Sequence, residues 1–339
     1  MYKFAQMSKE DRDFVFSKTA LEKGITKEIV EKDFWVCLML DYLFTKSKFK
    51  NLLTFKGGTS LSKGFDIINR FSEDIDLILD WTSLGVGFLE PWEQRSNTKQ
   101  EEFNKNLNLK AEYFIKCELL EDIKQNLTKL LNTEINVVVD DKESQVINFH
   151  YPKVYNLDDD YIKQYVRLEI GPLAAWSPSK IINITPYVCE KMPLVFELKS
   201  TKVLTVAPER TFWEKATILH REANRPENKN MPARYARHYY DLYKISKTNY
   251  FISAIKDKEL LSMVVNFKMK FYRENWAKYE DCLNGKFKLV PPTFRYKEIE
   301  KDYKQMNDMF YAEIPTFEEV ITQLTEIEKL INLNYQNGQ

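Results

Sequence analysis

Over the first fifty residues, apolar side chains recur every three or four positions. "SKEDRDFVFSKTALEKG" ends on Gly24 and "TKEIVEKDFWVCLMLDYLF" follows it, so helices are expected across residues 8–46. The period then shortens. Leu52–Phe55 reads as a strand stopped by Lys56-Gly57-Gly58, Thr59 opens a helix running to about Asn69, and Ile75–Leu79 is the next strand. Residues 81–97, with Pro91 and two tryptophans, read as a loop, and a long amphipathic helix covers roughly 98–131. "EINVVVD", "SQVINFHY", "YVRLEIG" and "LVFELK" alternate as strands, with turns at Asp140-Asp141 and Pro178. From Pro208 the helical period returns and holds to the C-terminus, punctuated by Pro291-Pro292 and Pro315. The expected class is α+β: a domain at 1–200 with N-terminal helices and a mixed sheet, then a helical C-terminal domain at 201–339.

Composition narrows this picture. The chain has 339 residues, 44% of them apolar, enough to bury a sizeable core. Fifty basic side chains cancel fifty acidic ones, which excludes a globally basic nucleic-acid binder but leaves room for a local patch. Cys37, Cys117, Cys189 and Cys282 form no CxxC pair and read as reduced thiols of a cytoplasmic protein. No stretch is apolar enough to cross a bilayer, and the charged N-terminus does not read as a signal peptide, so no membrane partner is expected.

Candidate chemistry concentrates in "FKGGTSLSKGFDIINRFSEDIDLIL". A strand, two glycines and a helix form an arrangement suited to phosphate, because glycine admits close backbone approach and a helix start offers unpaired N–H groups. Thr59, Ser60 and Ser62 add hydroxyls at the same turn. On a strand at Ile75–Leu79, Asp74 and Asp76 share one face while Ile75, Leu77 and Leu79 take the other. Two adjacent carboxylates repel unless a cation sits between them, and magnesium is the cation that oxygen ligands and phosphates suit. An ordinary glycine turn and an edge strand with an acidic solvent face is the bland alternative.

In "YVRLEIG", Arg167, Glu169 and Gly171 share a face, so Glu169 completes a three-carboxylate cluster if this strand neighbours the Asp-x-Asp strand. Arg167 then pairs with a phosphate or simply neutralises Glu169. Further on, "ERTFWEKATILHR" and "RYARHYYDLYKI" carry Lys215 and Asp241 on otherwise apolar stripes. Either these two form a salt bridge between packed helices, or Lys215 serves a triphosphate with Asp241 orienting it. Arg221, Arg225, Lys229, Arg234 and Arg237 lie between the two helices and suit either an RNA backbone or a solvated loop. Trp81, Trp92 and Arg95 suit base stacking or packing.

Four of these segments, "FKGGTSLSK…RFSEDIDL", "RLEIGP", "RTFWEKATILHR" and "RHYYDLYKI", together with "VEKDFWV" and "DYKQMNDMFYAEIPTFEEVITQL", resemble the AbiEii/AbiGii-type nucleotidyltransferase toxins. That family belongs to the polymerase-β-like nucleotidyltransferase superfamily. The resemblance implies magnesium at Asp74 and Asp76 with Glu169 as third carboxylate, and catalytic roles for these three with Lys215 and Asp241. It implies nucleotide contacts from Lys56, Gly57, Gly58, Thr59, Ser60, Ser72, Arg167 and Lys215. The implied activity is a toxin of a toxin–antitoxin or phage-defence system. It would move a nucleoside monophosphate from an NTP to an RNA acceptor, tRNA foremost, and a cognate antitoxin would silence it. Transfer to a protein hydroxyl and a non-catalytic nucleotide-binding module are the alternatives. Gly-Gly stands where many superfamily members have Gly-Ser, and the gap to the aspartates is long.

Overall fold

The computed structural model describes residues 1–156 and 163–336. After a single helical turn at Tyr2–Ala5 come two helices, α1 at Lys9–Lys23 and α2 at Lys27–Asp41. Ser8 and Thr26 cap their starts by accepting from Asp11 N and Ile29 N, and Gly24 ends α1 in the left-handed region at φ 66°. Every residue of α2 from Ile29 to Asp41 is buried. A helix buried on all sides lies inside the core, and its apolar residues from Val30 and Phe34 onward pack there with one face of the sheet.

Seven strands form that sheet: β1 Leu53–Lys56, β2 Asp74–Leu79, β3 Asn136–Val139, β4 Val146–His150, β5 Val166–Gly171, β6 Ser179–Ile184 and β7 Thr201–Val206. Their order is β3-β4-β5-β2-β1-β7-β6. β2 pairs parallel with β5 and antiparallel with β1, while β1 pairs parallel with β7. The expected mixed sheet is therefore present, and its core face carries Leu53, Phe55, Ile75, Leu77, Val166, Leu168 and Ile170. Each such side chain contributes about 1.5–3 kcal/mol by leaving water.

Three expectations are corrected. The helix after the glycines ends at Gly64, and Asp66 at φ 51° turns the chain away from helical geometry. "LVFELK" is not a strand but a short 3-10 turn at Pro193–Val195 followed by irregular backbone. The pairing is made instead by Ser179–Ile184 and Thr201–Val206, two alternating segments on either side of it. The helix over 98–131 runs as Asn97–Phe114 and Leu120–Leu131 joined by a π turn.

The chain packs as two compact units. The first comprises Met1–Phe65 and Phe71–Val206, and the second comprises Asp66–Arg70 with the described residues from Ala207 onward. A boundary at 200 would have cut β7 from its sheet, and it would have missed the five-residue segment that the second unit takes from the first half of the chain. The second unit is helical, with α3 at Pro208–Ala223, α4 at Ala236–Ser246, α5 at Lys258–Phe271 and α6 at Phe317–Gln336 among its elements. No helix among the described residues is long and apolar enough to cross a membrane.

Candidate active site

In the first unit, β2 alternates half-buried Asp74, buried Ile75, half-buried Asp76 and buried Leu77. The two aspartates therefore share the face opposite the core, as the period of a strand requires. Register places Lys56 of β1 and Glu169 of β5 on either side of Asp76, and Arg167 beside Asp74.

The glycine turn meets this row at Gly57, which has φ +85°. A Cβ built there would lie 1.8 Å from Asp76 Oδ2 and 2.6 Å from its Cγ. Only glycine fits, both because of the left-handed backbone and because the carboxylate occupies the side chain's place. Gly58 is buried inside the helical turn Gly57–Thr59.

The hydroxyls near this turn face inward. Thr59 Oγ1 donates to Asp74 O at 2.5 Å, and Ser60 Oγ donates to Gly57 O at 2.8 Å. Both residues are fully buried, and these hydrogen bonds brace the turn. Ser72 is half-buried in the irregular backbone just before β2.

Glu169 lies next to Asp76 in register, but Arg167 Nε donates to Glu169 Oε1 at 2.9 Å. Arg167 also meets Glu143 at 2.8 Å and Asp140 at 3.4 Å. Among the described residues no three His, Cys, Asp or Glu side chains are grouped to hold a metal ion, so the expected three-carboxylate cluster is not assembled. Arg167 bridges to Glu169 two residues along the same strand and has two further carboxylates around it. Burial alone would lower its pKa, but Glu169 and Glu143 raise it overall, so its charge is secure.

Lys215 and Asp241 belong to the second unit and meet there. Lys215 Nζ lies 2.8 Å from Asp241 Oδ2, the salt bridge between packed helices α3 and α4. Arg70, which was not singled out from the sequence, grips the same carboxylate in a fork, Nε to Oδ1 and Nη2 to Oδ2, each at 2.8 Å. No periodicity marks Arg70, because Asp66–Arg70 forms no regular element. The rest of that segment is tied down too: Tyr240 Oη accepts from Asn69 N, and Lys244 Nζ donates to Asn69 Oδ1 at 2.6 Å. Burial pushes the Asp241 carboxyl up, but Arg70 and then Lys215 pull it well below the ordinary carboxylate range. Burial lowers the Lys215 ammonium, against the pull of Asp241 and with the help of Arg70. His238 is held far below its usual value by burial and by Lys215, so it stays neutral with Nδ1 3.5 Å from Lys215 Nζ. Two buried cations share one carboxylate, and the cluster keeps an excess positive charge.

Several of the remaining candidates make packing or ion-pair contacts. Trp81 is buried, donates to Phe88 O at 3.2 Å and meets Trp176 edge-on at 4.6 Å. Trp92 is part-exposed, and Arg95 lies over Phe103. In the basic run, Arg221 and Arg225 both pair with buried Glu222, while Arg225 and Lys229 lie over Trp276.

A profile of the AbiEii nucleotidyl transferase toxins of type IV toxin–antitoxin systems matches residues 39–323. The chain belongs to the AbiEii family. It is accordingly a nucleotidyltransferase, and a toxin of a toxin–antitoxin system, for which an NTP substrate and an antitoxin partner follow. Two solved structures align over nearly the whole AbiEii chain. MenT4, a nucleotidyltransferase toxin from Mycobacterium tuberculosis H37Rv, is 16% identical with a TM-score of 0.45, covering 96% of this chain and 99% of its own. JHP933 from Helicobacter pylori is 14% identical with a TM-score of 0.42, covering 91% of this chain and 94% of its own. No curated protein matches in sequence.

Proposed function

We propose that this AbiEii toxin transfers a nucleoside monophosphate from an NTP to a hydroxyl of an RNA, tRNA foremost, using magnesium held at Asp74 and Asp76. The observation that carries the reading is the approach of Gly57 to Asp76: a left-handed glycine keeps backbone against a carboxylate that shares its strand face with a second one. The donors are hard oxygens, which fit magnesium rather than a soft-ligand metal. Bound there, magnesium would neutralise the phosphates and favour the ionised form of the acceptor hydroxyl.

The chain's own residues orient and neutralise. Asp74 and Asp76 present two carboxylates from a strand pinned by Thr59, and Glu169 adds charge from the neighbouring strand. Within the second unit, Lys215 is fixed by Asp241, which Arg70 also holds. In the reaction the acceptor oxygen bonds to the α-phosphorus and the α–β bridging P–O bond breaks. Pyrophosphate leaves with the bonding pair, and the hydroxyl proton passes to water. The RNA acceptor is argued from the family resemblance. Of the basic run, Arg221 and Arg225 are engaged with Glu222 and do not bear on it.

The test incubates the protein with Mg2+, each α-labelled NTP in turn, and total RNA with cell extract, beside Asp76→Ala. Label in an RNA band that Asp76→Ala abolishes supports the reading and names the nucleotide. Label in a protein band redirects it to a protein hydroxyl. No label with intact nucleotide binding leaves a binding module instead.

A further inference from the structure

Glu31, Lys32 and Asp33 are consecutive on α2, so their side chains leave the helix about 100° apart. Such a triplet ordinarily sends at least two members to solvent, yet here all three are buried, at 2%, 1% and 2% exposure. A buried charge is tolerated only with a partner, and each has one. Glu31 accepts from Val154 N at 2.6 Å and from Tyr155 N at 3.3 Å. Lys32 pairs with Glu73 and donates to Lys163 O. Asp33 pairs with Lys63 at 2.9 Å and accepts from Tyr187 N at 2.7 Å. Lys63 is buried as well, with its ammonium 3.6 Å from the centre of the Tyr187 ring.

Two of these partners bracket the chemistry. Glu73 directly precedes Asp74, and Lys63 lies on the helical turn that Gly57 opens. One helix thus grips the glycine turn through Asp33 and the start of the aspartate strand through Lys32. Thr59 Oγ1 joins the two gripped segments to each other at Asp74 O. Stability alone does not account for the arrangement, since apolar residues of similar volume commonly replace buried ion pairs without loss. What an ion pair adds is direction. A one-residue slip at the start of β2 would exchange Asp74 and Asp76 for Ile75 on the site face.

We propose that Lys32 and Asp33 are positioning residues that set the orientation of Asp74 and Asp76 through buried ion pairs with Glu73 and Lys63. The proposal rests on reading the two aspartates as metal ligands.

The experiment compares full-length wild type, Asp76→Ala, K32M/E73Q and Glu31→Gln. Mn2+ binding is read from the paramagnetic resonance of the free ion, thermal unfolding is recorded beside it, and nucleotide transfer is titrated with Mg2+. Wild type is expected to bind Mn2+ through a site that Asp76→Ala lacks. K32M/E73Q should unfold within a few degrees of wild type, bind Mn2+ at least tenfold more weakly, and regain its transfer rate as Mg2+ is raised. Glu31→Gln, on the same helix turn but holding Val154 and Tyr155, should bind Mn2+ like wild type. Wild-type Mn2+ affinity in K32M/E73Q overturns the proposal and leaves the metal reading standing. Identical Mn2+ binding by wild type and Asp76→Ala overturns both. If K32M/E73Q fails to fold, D33N/K63M carries the same expectation. Lys32→Arg, which keeps the charge but moves it, must then also weaken Mn2+ binding, and wild-type affinity in either one overturns the proposal.

Discussion

Gly57→Ala separates backbone strain from active-site geometry within one substitution. The left-handed backbone at φ +85° costs an L-residue about 1–2 kcal/mol. A fold of this size should register that as a fall in Tm of several degrees. The new methyl would sit 1.8 Å from Asp76 Oδ2, whereas real Cβ contacts stop at about 3.0 Å, so the carboxylate must retreat by more than 1 Å. Rotation about the Asp76 side chain accomplishes this with the strand in place. A displacement of that size in a reacting constellation costs about 100-fold in rate, equivalent to about 2.7 kcal/mol of transition-state stabilisation. Gly57→Ala should therefore stay folded at 25 °C, with unchanged far-ultraviolet circular dichroism, and transfer label from NTP about two orders of magnitude more slowly. A variant that melts lower but transfers at the wild-type rate refutes the reasoning, because Asp76 would then tolerate displacement or play no part. A variant whose slower rate merely tracks its unfolded fraction refutes it as well.

The other expectations are simpler. Asp241→Asn leaves Arg70 and Lys215 as like charges in a buried cluster and should cost about 3–5 kcal/mol in denaturant unfolding. Because the folded Asp241 pKa is depressed, its stabilisation is complete above about pH 4 and is lost only as pH falls below the ordinary carboxylate range, so the difference between wild type and Asp241→Asn should shrink in acid melts. Trp81→Ala removes the contact with Trp176 and should cost about 3–5 kcal/mol, while transfer by the folded fraction stays near wild type. A selective loss of RNA binding there would instead mark Trp81 as a base-stacking residue. Arg167→Gln frees Glu169, Asp140 and Glu143 from their shared cation, and it should change kcat more than KM for NTP if Arg167 only orients Glu169.

The parts of the fold that announce themselves are those where local period and burial agree. β5 alternates throughout and β2 over its first four residues, because each has one face in the core; that the two strands are neighbours was only a condition in the sequence, and the register meets it. β6 and β7 escaped because five of their twelve residues remain exposed, including Ile181 and Leu204, so no apolar run marked them. "LVFELK" attracted attention by its apolar run, yet Leu194 stands almost fully exposed at 98%. Gly57 was readable because its backbone demands glycine, and Asp74 and Asp76 because the strand period sets them on one face. The buried charges were not. Lys32 finds Glu73 41 positions away and Glu31 finds Val154 123 positions away, distances over which sequence pattern carries no information. Likewise Lys215 and Asp241 were recognisable as charges on apolar stripes, whereas the third member, Arg70, stands on a segment with no period at all.

Asp66–Arg70 is encoded between the glycines and the aspartates but folds with the helices that follow residue 206. The gene therefore has no breakpoint at which the two units part cleanly. A fragment starting at Ala207 would carry Asp241 without the arginine fork that holds it, and a fragment ending at Val206 would carry that arginine with no carboxylate to receive it. Recombination that exchanges the C-terminal half between family members would have to transplant five upstream residues along with it. Chimaeras that keep Arg70 and Asp241 from one parent should survive where those joined only at 206 and 207 do not.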